Sequence, residues 1–339
     1  MKTLPIQKEI PKFKGLIKID RESQIPLIGI IQIGIIDRGS SLLQIRASTA
    51  CNMKCQFCST AANSYDIHPY NYEVELFYLI DWVKEVIRLK DNQVNQINID
   101  SVGEPTAYKD IVNLVRECKK IPEIKLVTMQ SNGTLLNEEL IKKLEKAGLD
   151  RINLSVHSLE DQQSKELFGS NNYNLKKILE NAKLINKSKI ELNLTPVYLP
   201  NINDKQISDL IEFAKEINCR ISIQKYEIYK YSRKMKKVKE QNWFKFYRKL
   251  EELEKKHDYK LKIGPTDFEI YKSKRIPLEF KRGDIITAEV IMPGWIKQEK
   301  IAKANNRVIT IVDSDAKMGD KIRVKILESK DSIYITKKV

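Results

Sequence analysis

The sequence predicts an α/β chain: a parallel sheet covered by helices, open or rolled into a partial barrel, followed by a small all-β barrel. Three observations lead there. Between residues 42 and 226, six apolar runs of strand type alternate with runs of helical period. From about Ile276 the helical period stops, and short β-branched runs alternate with turn residues. Cysteine-rich and polar segments fall straight after the first three strands of the alternating region. That is where parallel sheets collect their ligands.

Taken in order, residues 1–41 are expected to form an N-terminal extension carrying a β-hairpin or two short strands. The next region, 42–226, has candidate strands at Leu42–Arg46, Gln96–Ser101, Lys125–Gln130, Arg151–His157, Glu191–Val197 and Arg220–Tyr226. Helices are expected between them over Glu73–Leu89, Asp110–Lys119, Asn137–Ala147, Leu175–Asn186 and Asp204–Glu216. In the first helix Leu76, Phe77, Ile80, Val83 and Ile87 recur at three- and four-residue steps and make one apolar face. Gly148 is placed to end the third helix, and Asn203 or Asp204 to start the fifth. β-then-α units in series imply parallel strands joined by right-handed crossovers. Residues 227–275 read as a basic helical connector. Lys230, Arg233, Lys234, Lys236, Lys237 and Lys239 come in quick succession, and Trp243, Phe244, Phe246, Tyr247 and Leu250 give the following helix an aromatic side. In the last region, 276–339, the runs Ile285–Ile291, Val308–Val312, Lys321–Leu327 and Ser332–Thr336 suit a small barrel.

The net charge of +15 points to a polyanionic partner, either nucleic acid or a membrane surface. A charged fraction of 31%, rich in Lys and Glu, weakens that inference, because such a bias also follows from growth temperature or base composition. No stretch approaches the roughly 18 unbroken apolar residues of a membrane helix, and no signal-peptide pattern opens the chain. A cytoplasmic protein without a membrane partner is expected.

Three of the five cysteines, Cys51, Cys55 and Cys58, sit within eight residues. An odd count and this crowding argue for a metal rather than a disulfide framework. From spacing alone the alternatives are an iron–sulfur cluster with one iron open, a zinc site completed by His68, or ordinary thiols. Cys118 falls on a helical apolar stripe and reads as core, and Cys219 begins the sixth strand. His157 ends the fourth strand and is a weak candidate for acid–base work.

The stretch Cys51-Asn-Met-Lys-Cys55-Gln-Phe57-Cys58 resembles the signature of the radical S-adenosylmethionine (SAM) superfamily. Two further stretches resemble its later motifs: Val102-Gly103-Glu104-Pro105, with Val in place of a Gly, and Ser131-Asn132-Gly133. The resemblance covers roughly residues 42–226 and implies a partial (β/α)6 barrel. It implies that Cys51, Cys55 and Cys58 hold a 4Fe–4S cluster whose open iron binds SAM. It also implies that Phe57, Gly103, Glu104, Ser131, Asn132 and Ser155 line the SAM site. One electron from a donor such as ferredoxin or flavodoxin then yields a 5′-deoxyadenosyl radical.

Residues 281–339 resemble a TRAM domain, a small barrel appended to many RNA-modifying enzymes. The resemblance lies in Lys281-Arg282-Gly283-Asp284, Ile301-Ala302-Lys303 and Met318-Gly319-Asp320-Lys321-Ile-Arg323. Gln298-Glu299-Lys300 stands where a glycine-rich turn is usual. Lys234, Lys236, Lys237, Lys281, Arg282, Lys321 and Arg323 are the candidate RNA contacts. The function expected is modification of a nucleotide in RNA, above all transfer RNA, with methylation one option. The alternatives are a radical SAM enzyme acting on a peptide or small metabolite, and a zinc-bound RNA-binding protein without catalysis.

Overall fold

The computed structural model describes residues 15–339. Its elements, in chain order, are strands β1 (Leu16–Ile19), β2 (Gly34–Asp37), β3 (Leu42–Arg46) and β4 (Asn71–Val74), helix α1 (Leu76–Leu89), β5 (Gln96–Ile99), α2 (Ile111–Lys119), β6 (Leu126–Ser131), α3 (Glu138–Ala147) and β7 (Arg151–Leu154). Then come α4 (Asp161–Phe168), α5 (Leu175–Lys187), β8 (Glu191–Leu194), β9 (Val197–Tyr198), α6 (Asp204–Glu216), β10 (Arg220–Ile221), β11 (Gln224–Lys225) and α7 (Trp243–His257). The chain ends with β12 (Ile285–Pro293), β13 (Lys300–Ala304), β14 (Arg307–Val312), β15 (Lys321–Lys330) and β16 (Ile333–Lys338).

The main sheet has the order β10-β8-β7-β6-β5-β3-β2. All its pairs are parallel except β2 with β3. Its six parallel strands neighbour one another in chain order. Strands wound in one direction this way put every helix on one side and every C-terminal strand end on one rim. The sheet keeps two edges, so the barrel is partial. The last five strands make a separate closed barrel, β12-β13-β14-β16-β15, which removes its edges altogether.

Local sequence explains most boundaries. Helix α1 begins at Leu76 rather than Glu73, because Glu75 caps it through bonds from the Phe77 and Tyr78 N–H groups. The residues before the cap, Asn71–Val74, pair with β1 as a small parallel sheet. The N-terminal strands therefore do not form a hairpin: β1 joins β4, while β2 edges the main sheet. Phe77, expected on the buried face of α1, is 57% exposed; Leu79, Ile80, Val83, Val86 and Ile87 are buried instead. Each such side chain contributes roughly 1.5–3 kcal/mol on burial. Gly148 ends α3 at φ 94°, and Asn203 flanks α6. The connector departs most from expectation. Between β11 and α7 it forms no helix; its one α-helix is Trp243–His257, with a short 3-10 turn at Pro265–Phe268.

The C-terminal barrel packs directly on the body. Gly29, at φ +133°, lies so close to β14 that a Cβ would sit 1.8 Å from the Val308 carbonyl oxygen. Val308 N–H donates to Ile28, and Tyr334 N–H to Gly29, at 3.0 and 2.9 Å. Trp295, on the loop after β12, stacks on His68 at 3.8 Å.

Candidate active site

The rim of the partial barrel opens on a cavity of about 460 Å³. Cys51, Cys55, Phe57, Cys58, Gly103, Glu104, Ser131, Asn132, Ser155 and His157 all line it. Positions spread over more than a hundred residues meet there because each follows a strand of the same sheet.

The cysteine loop follows β3 and is held from three sides. Lys54 and Gln56 N–H groups donate to the Phe168 and Leu167 carbonyls at the end of α4. Thr60 Oγ1 donates to the Val102 carbonyl at 2.8 Å. Asn132 Nδ2 donates to Asn52 Oδ1 at 3.0 Å. Burial pushes the Cys51 thiol up to about 12 and Cys55 well above its ordinary value, and the neighbouring thiols add to both shifts. Arg233 is the cation that opposes the shift in each.

Glu104 is the best-satisfied charge at the rim. Its Oε1 accepts from Thr106 N–H at 3.1 Å, Thr106 Oγ1 at 2.5 Å and Ser131 Oγ at 2.8 Å. Its Oε2 accepts one bond, from Asn132 N–H at 2.7 Å. Burial pushes its pKa up, and these donors pull it down by favouring the carboxylate. A Cβ on Gly103 would meet the Ala50 carbonyl oxygen at 2.2 Å, and Glu104 N–H bonds that same oxygen at 2.7 Å. Only glycine lets the two loops come this close.

The expected site residues thus divide by role. Ser131 gives its hydroxyl proton to Glu104 and accepts from Gly133 N–H. Asn132 spends its amide on Asn52 and Thr134. Both hold Glu104 and its turn in place. Ser155 accepts from Gln130 Nε2 at 3.1 Å within the cavity. Phe57 lies edge-on to His157 at 4.6 Å. His157 Nδ1 accepts from Val197 N–H at 3.0 Å, and burial lowers its pKa to about 3. Burial favours the neutral ring, with Nδ1 as the acceptor and Nε2 carrying the proton. His68 faces backbone carbonyls with both ring nitrogens, Thr60 at 2.7 Å and Trp295 at 3.2 Å. With both nitrogens committed there, His68 is not free to complete a zinc site.

Among the described residues no three His, Cys, Asp or Glu side chains stand gathered around a metal position. Cys58 Sγ instead meets Thr60 Oγ1 at 3.3 Å. The three thiols still share one loop and one cavity, and they lie close enough for Cys58 to raise the pKa of both Cys51 and Cys55. Three soft donors in one loop suit a cluster with one open iron. Cys118 and Cys219 are buried.

The sequence singled out few residues of the inner wall. Gln44, Asn98, Asp100, Gln130, Thr195, Gln224, Lys225, Glu227 and Tyr229 line the cavity with the motif residues. The strand period of two was the available signal, since a polar residue recurs on one face of each strand. Thr128 donates to Asn98 at 2.8 Å, Gln130 to Thr195 at 3.0 Å, and Asn193 to Asn153 at 2.8 Å. The concave face is thus a bonded row of amides and hydroxyls. Among the described residues Lys225 is the one Lys or Arg lining the cavity, and its Nζ lies 2.6 Å from Glu240 and 3.6 Å from Glu227. Asp100 is paired with Arg46 at 2.8 Å.

The candidate RNA contacts lie outside the cavity. Lys234, Lys236, Lys237, Lys281, Arg282, Lys321 and Arg323 are all exposed. Among the described residues no helix is long and apolar enough to cross a membrane.

Comparison with known proteins places this geometry. A family model described as the radical SAM superfamily matches residues 45–214. An uncharacterized protein of Methanocaldococcus jannaschii is 36% identical over 93% of this chain and 79% of its own length. A probable GTP 3′,8-cyclase of Pyrococcus horikoshii is 26% identical over 74% of each chain. Among solved structures, Streptococcus suis SuiB bound to S-adenosylmethionine superposes with a TM-score of 0.52 at 24% identity. That match covers 74% of this chain and 55% of SuiB, so the chain spans about half of that protein. The chain belongs to the radical SAM superfamily, whose members bind a 4Fe–4S cluster and S-adenosylmethionine.

Proposed function

We propose that this radical SAM enzyme modifies a nucleotide of RNA, and that its substrate is transfer RNA. Cys51, Cys55 and Cys58 would hold the cluster, and Glu104 Oε2 would accept from the SAM amino group beside it. Those cofactors, when bound, supply one-electron cleavage of SAM and with it hydrogen abstraction or methyl transfer. The chain's own residues bind and orient the target.

The observation that carries this reading is a contrast of charge. Inside, Gln44, Asn98, Gln130, Ser155 and Thr195 offer neutral donors and acceptors, and the one lysine is already paired with carboxylates. Amides of this kind suit the edge of a nucleobase. Outside, Lys321, Arg323 and Lys325 alternate along the exposed face of β15, with no ion-pair partner among the described residues. Lys325 lies directly across from Lys337 on β16, a like-charge pair that a phosphate backbone would relieve. Beyond Lys225, whose Nζ sits 5.1 Å over the Trp243 ring, Trp243, Phe244 and Tyr247 stand exposed as surfaces on which bases can stack. The likeness of residues 281–339 to a TRAM barrel supports the same partner. A base flipped from the strand would enter the amide-lined cavity while its phosphates stay on the basic exterior.

A free nucleoside triphosphate is the competing substrate, favoured by the 26% identity to a probable GTP 3′,8-cyclase. Its phosphates would bring several negative charges into a cavity already holding Asp100, Glu104 and Glu227. The test is a nucleoside mass comparison of bulk transfer RNA from cells with and without the gene. One nucleoside lost or shifted in the knockout supports the proposal. An unchanged profile contradicts it and turns attention to small metabolites or peptides.

A further inference from the structure

Arg233 belongs by sequence to the basic run of the connector, but it does not share that run's exposure. Lys234, Lys236 and Lys237 are exposed, whereas Arg233 is half-buried against the cysteine loop. Its Nη1 donates to the Cys55 carbonyl at 3.2 Å. Its Nη2 donates to the carbonyls of Ala61, at 3.3 Å, and Ala62, and to Ser64 Oγ at 2.7 Å. Its own N–H donates to the Cys58 carbonyl at 2.9 Å, and Ser232 Oγ donates to the Ser59 carbonyl at 2.8 Å. Every one of these bonds ends within residues 55–64. The loop there has no helix or strand to satisfy its carbonyls, so they need donors from elsewhere.

We propose that Arg233 is a positioning residue of the cluster site, clamping the cysteine loop from outside and placing a permanent positive charge beside the bound cluster. The first part follows from geometry. A planar guanidinium can reach several fixed carbonyls at once, which a lysine cannot. The second follows from charge. Three thiolates and a reduced cluster concentrate negative charge in a place only partly open to water. A guanidinium stays protonated throughout, and charge near a cluster shifts its reduction potential. The reduced form, one electron more negative, gains most from Arg233. The proposal rests on these cysteines holding the cluster, not on RNA as substrate.

The test uses the full chain, reconstituted anaerobically, as wild type, Arg233→Gln and Arg233→Lys. Iron release to a chelator reports the clamp, and a redox titration followed by electron paramagnetic resonance reports the charge. Arg233→Gln is expected to release iron about tenfold faster or more and to have a more negative midpoint potential. Arg233→Lys keeps the charge and loses the fork, so it should hold a near-wild-type potential but release iron faster. A wild-type potential in Arg233→Gln overturns the proposal, because a purely structural staple would leave the potential unmoved. If Arg233→Gln takes up no cluster, Arg233→Lys decides: faster iron release at the wild-type potential upholds the proposal, and wild-type iron retention overturns it. A wild-type chain that takes up no cluster would contradict the cysteine assignment itself, a different failure.

Discussion

At the rim of the partial barrel, charge is held by the protein. Glu104 is 2% exposed and its carboxylate accepts four bonds from Thr106, Ser131 and Asn132. Arg233 is fixed to the cysteine loop, and Lys225 to Glu227 and Glu240. On the C-terminal barrel the cations of β15 are left to solvent, one of them facing another lysine across the strands. The same residue types thus do opposite work. A charge held mostly by bonds within the chain shapes a site, and what bonding capacity it keeps, as at Glu104 Oε2, is fixed in direction. A charge left unpaired adds little to stability and is available to a polyanion. Substitutions of the bonded charges at the rim should therefore damage chemistry and folding, and substitutions on the barrel should damage only association.

The largest effect should come from Cys55→Ala. Loss of one of three thiolates should abolish iron binding and SAM cleavage while the melting curve of the apo chain changes little. Iron content and 5′-deoxyadenosine formation check it, and retained activity would remove the cysteines from the site. Next is Glu104→Gln, which puts an amide donor where Ser131, Thr106 and Asn132 already donate. One donor left unsatisfied in a buried place costs about 1–3 kcal/mol, so thermal unfolding should shift down and SAM affinity should fall. Stability equal to wild type would mean that the rim is not over-determined as described. Third, replacing Lys321, Arg323 and Lys325 together by Ser should weaken transfer RNA binding. The log–log dependence of affinity on salt should become shallower by about 2–3. SAM cleavage without RNA should be unchanged; an unaltered salt dependence would take β15 out of the interface.

The smallest effect tests the seam between the two regions. Glu299, on the barrel loop that packs near His68 and the connector, has its pKa raised to about 7 by burial. Its folded pKa lies above the unfolded value, so between roughly pH 4.5 and 7 the folded chain holds the extra proton. Stability from this group is present below that window and is lost as pH rises through it. Glu299→Gln should flatten the fall of melting temperature from pH 5 to 7. A slope matching wild type would mean that the carboxyl is solvated.

Much of the fold was legible because it rests on periodicity. Leu42–Arg46 and Asp204–Glu216 form as their patterns predict. The apolar pattern overstates strand length where it runs past the pairing: the strand expected over Arg151–His157 stops at Leu154, and Ser155 and His157 line the cavity instead. Helix α4 escaped notice because only Ser164, Leu167 and Phe168 are buried in it, too few for a visible stripe. At the site, residue types and strand-end positions were readable, but partners were not. Ser131 and Asn132 looked like ligand contacts and hold Glu104; His68 looked like a metal ligand and serves the seam with Trp295; Arg233 looked like one more surface cation. A sequence shows which side chains can bond, and only the folded chain shows which bonds are already made.

The most direct test of the whole account is 5′-deoxyadenosine formation by the reconstituted chain with SAM and a reductant, alone, with bulk transfer RNA and with GTP. The account predicts slow formation by the chain alone, acceleration by transfer RNA from the knockout strain, and none by GTP. Acceleration by GTP and not by transfer RNA would contradict it, and would show that the cavity accepts the phosphates its charges were taken to refuse.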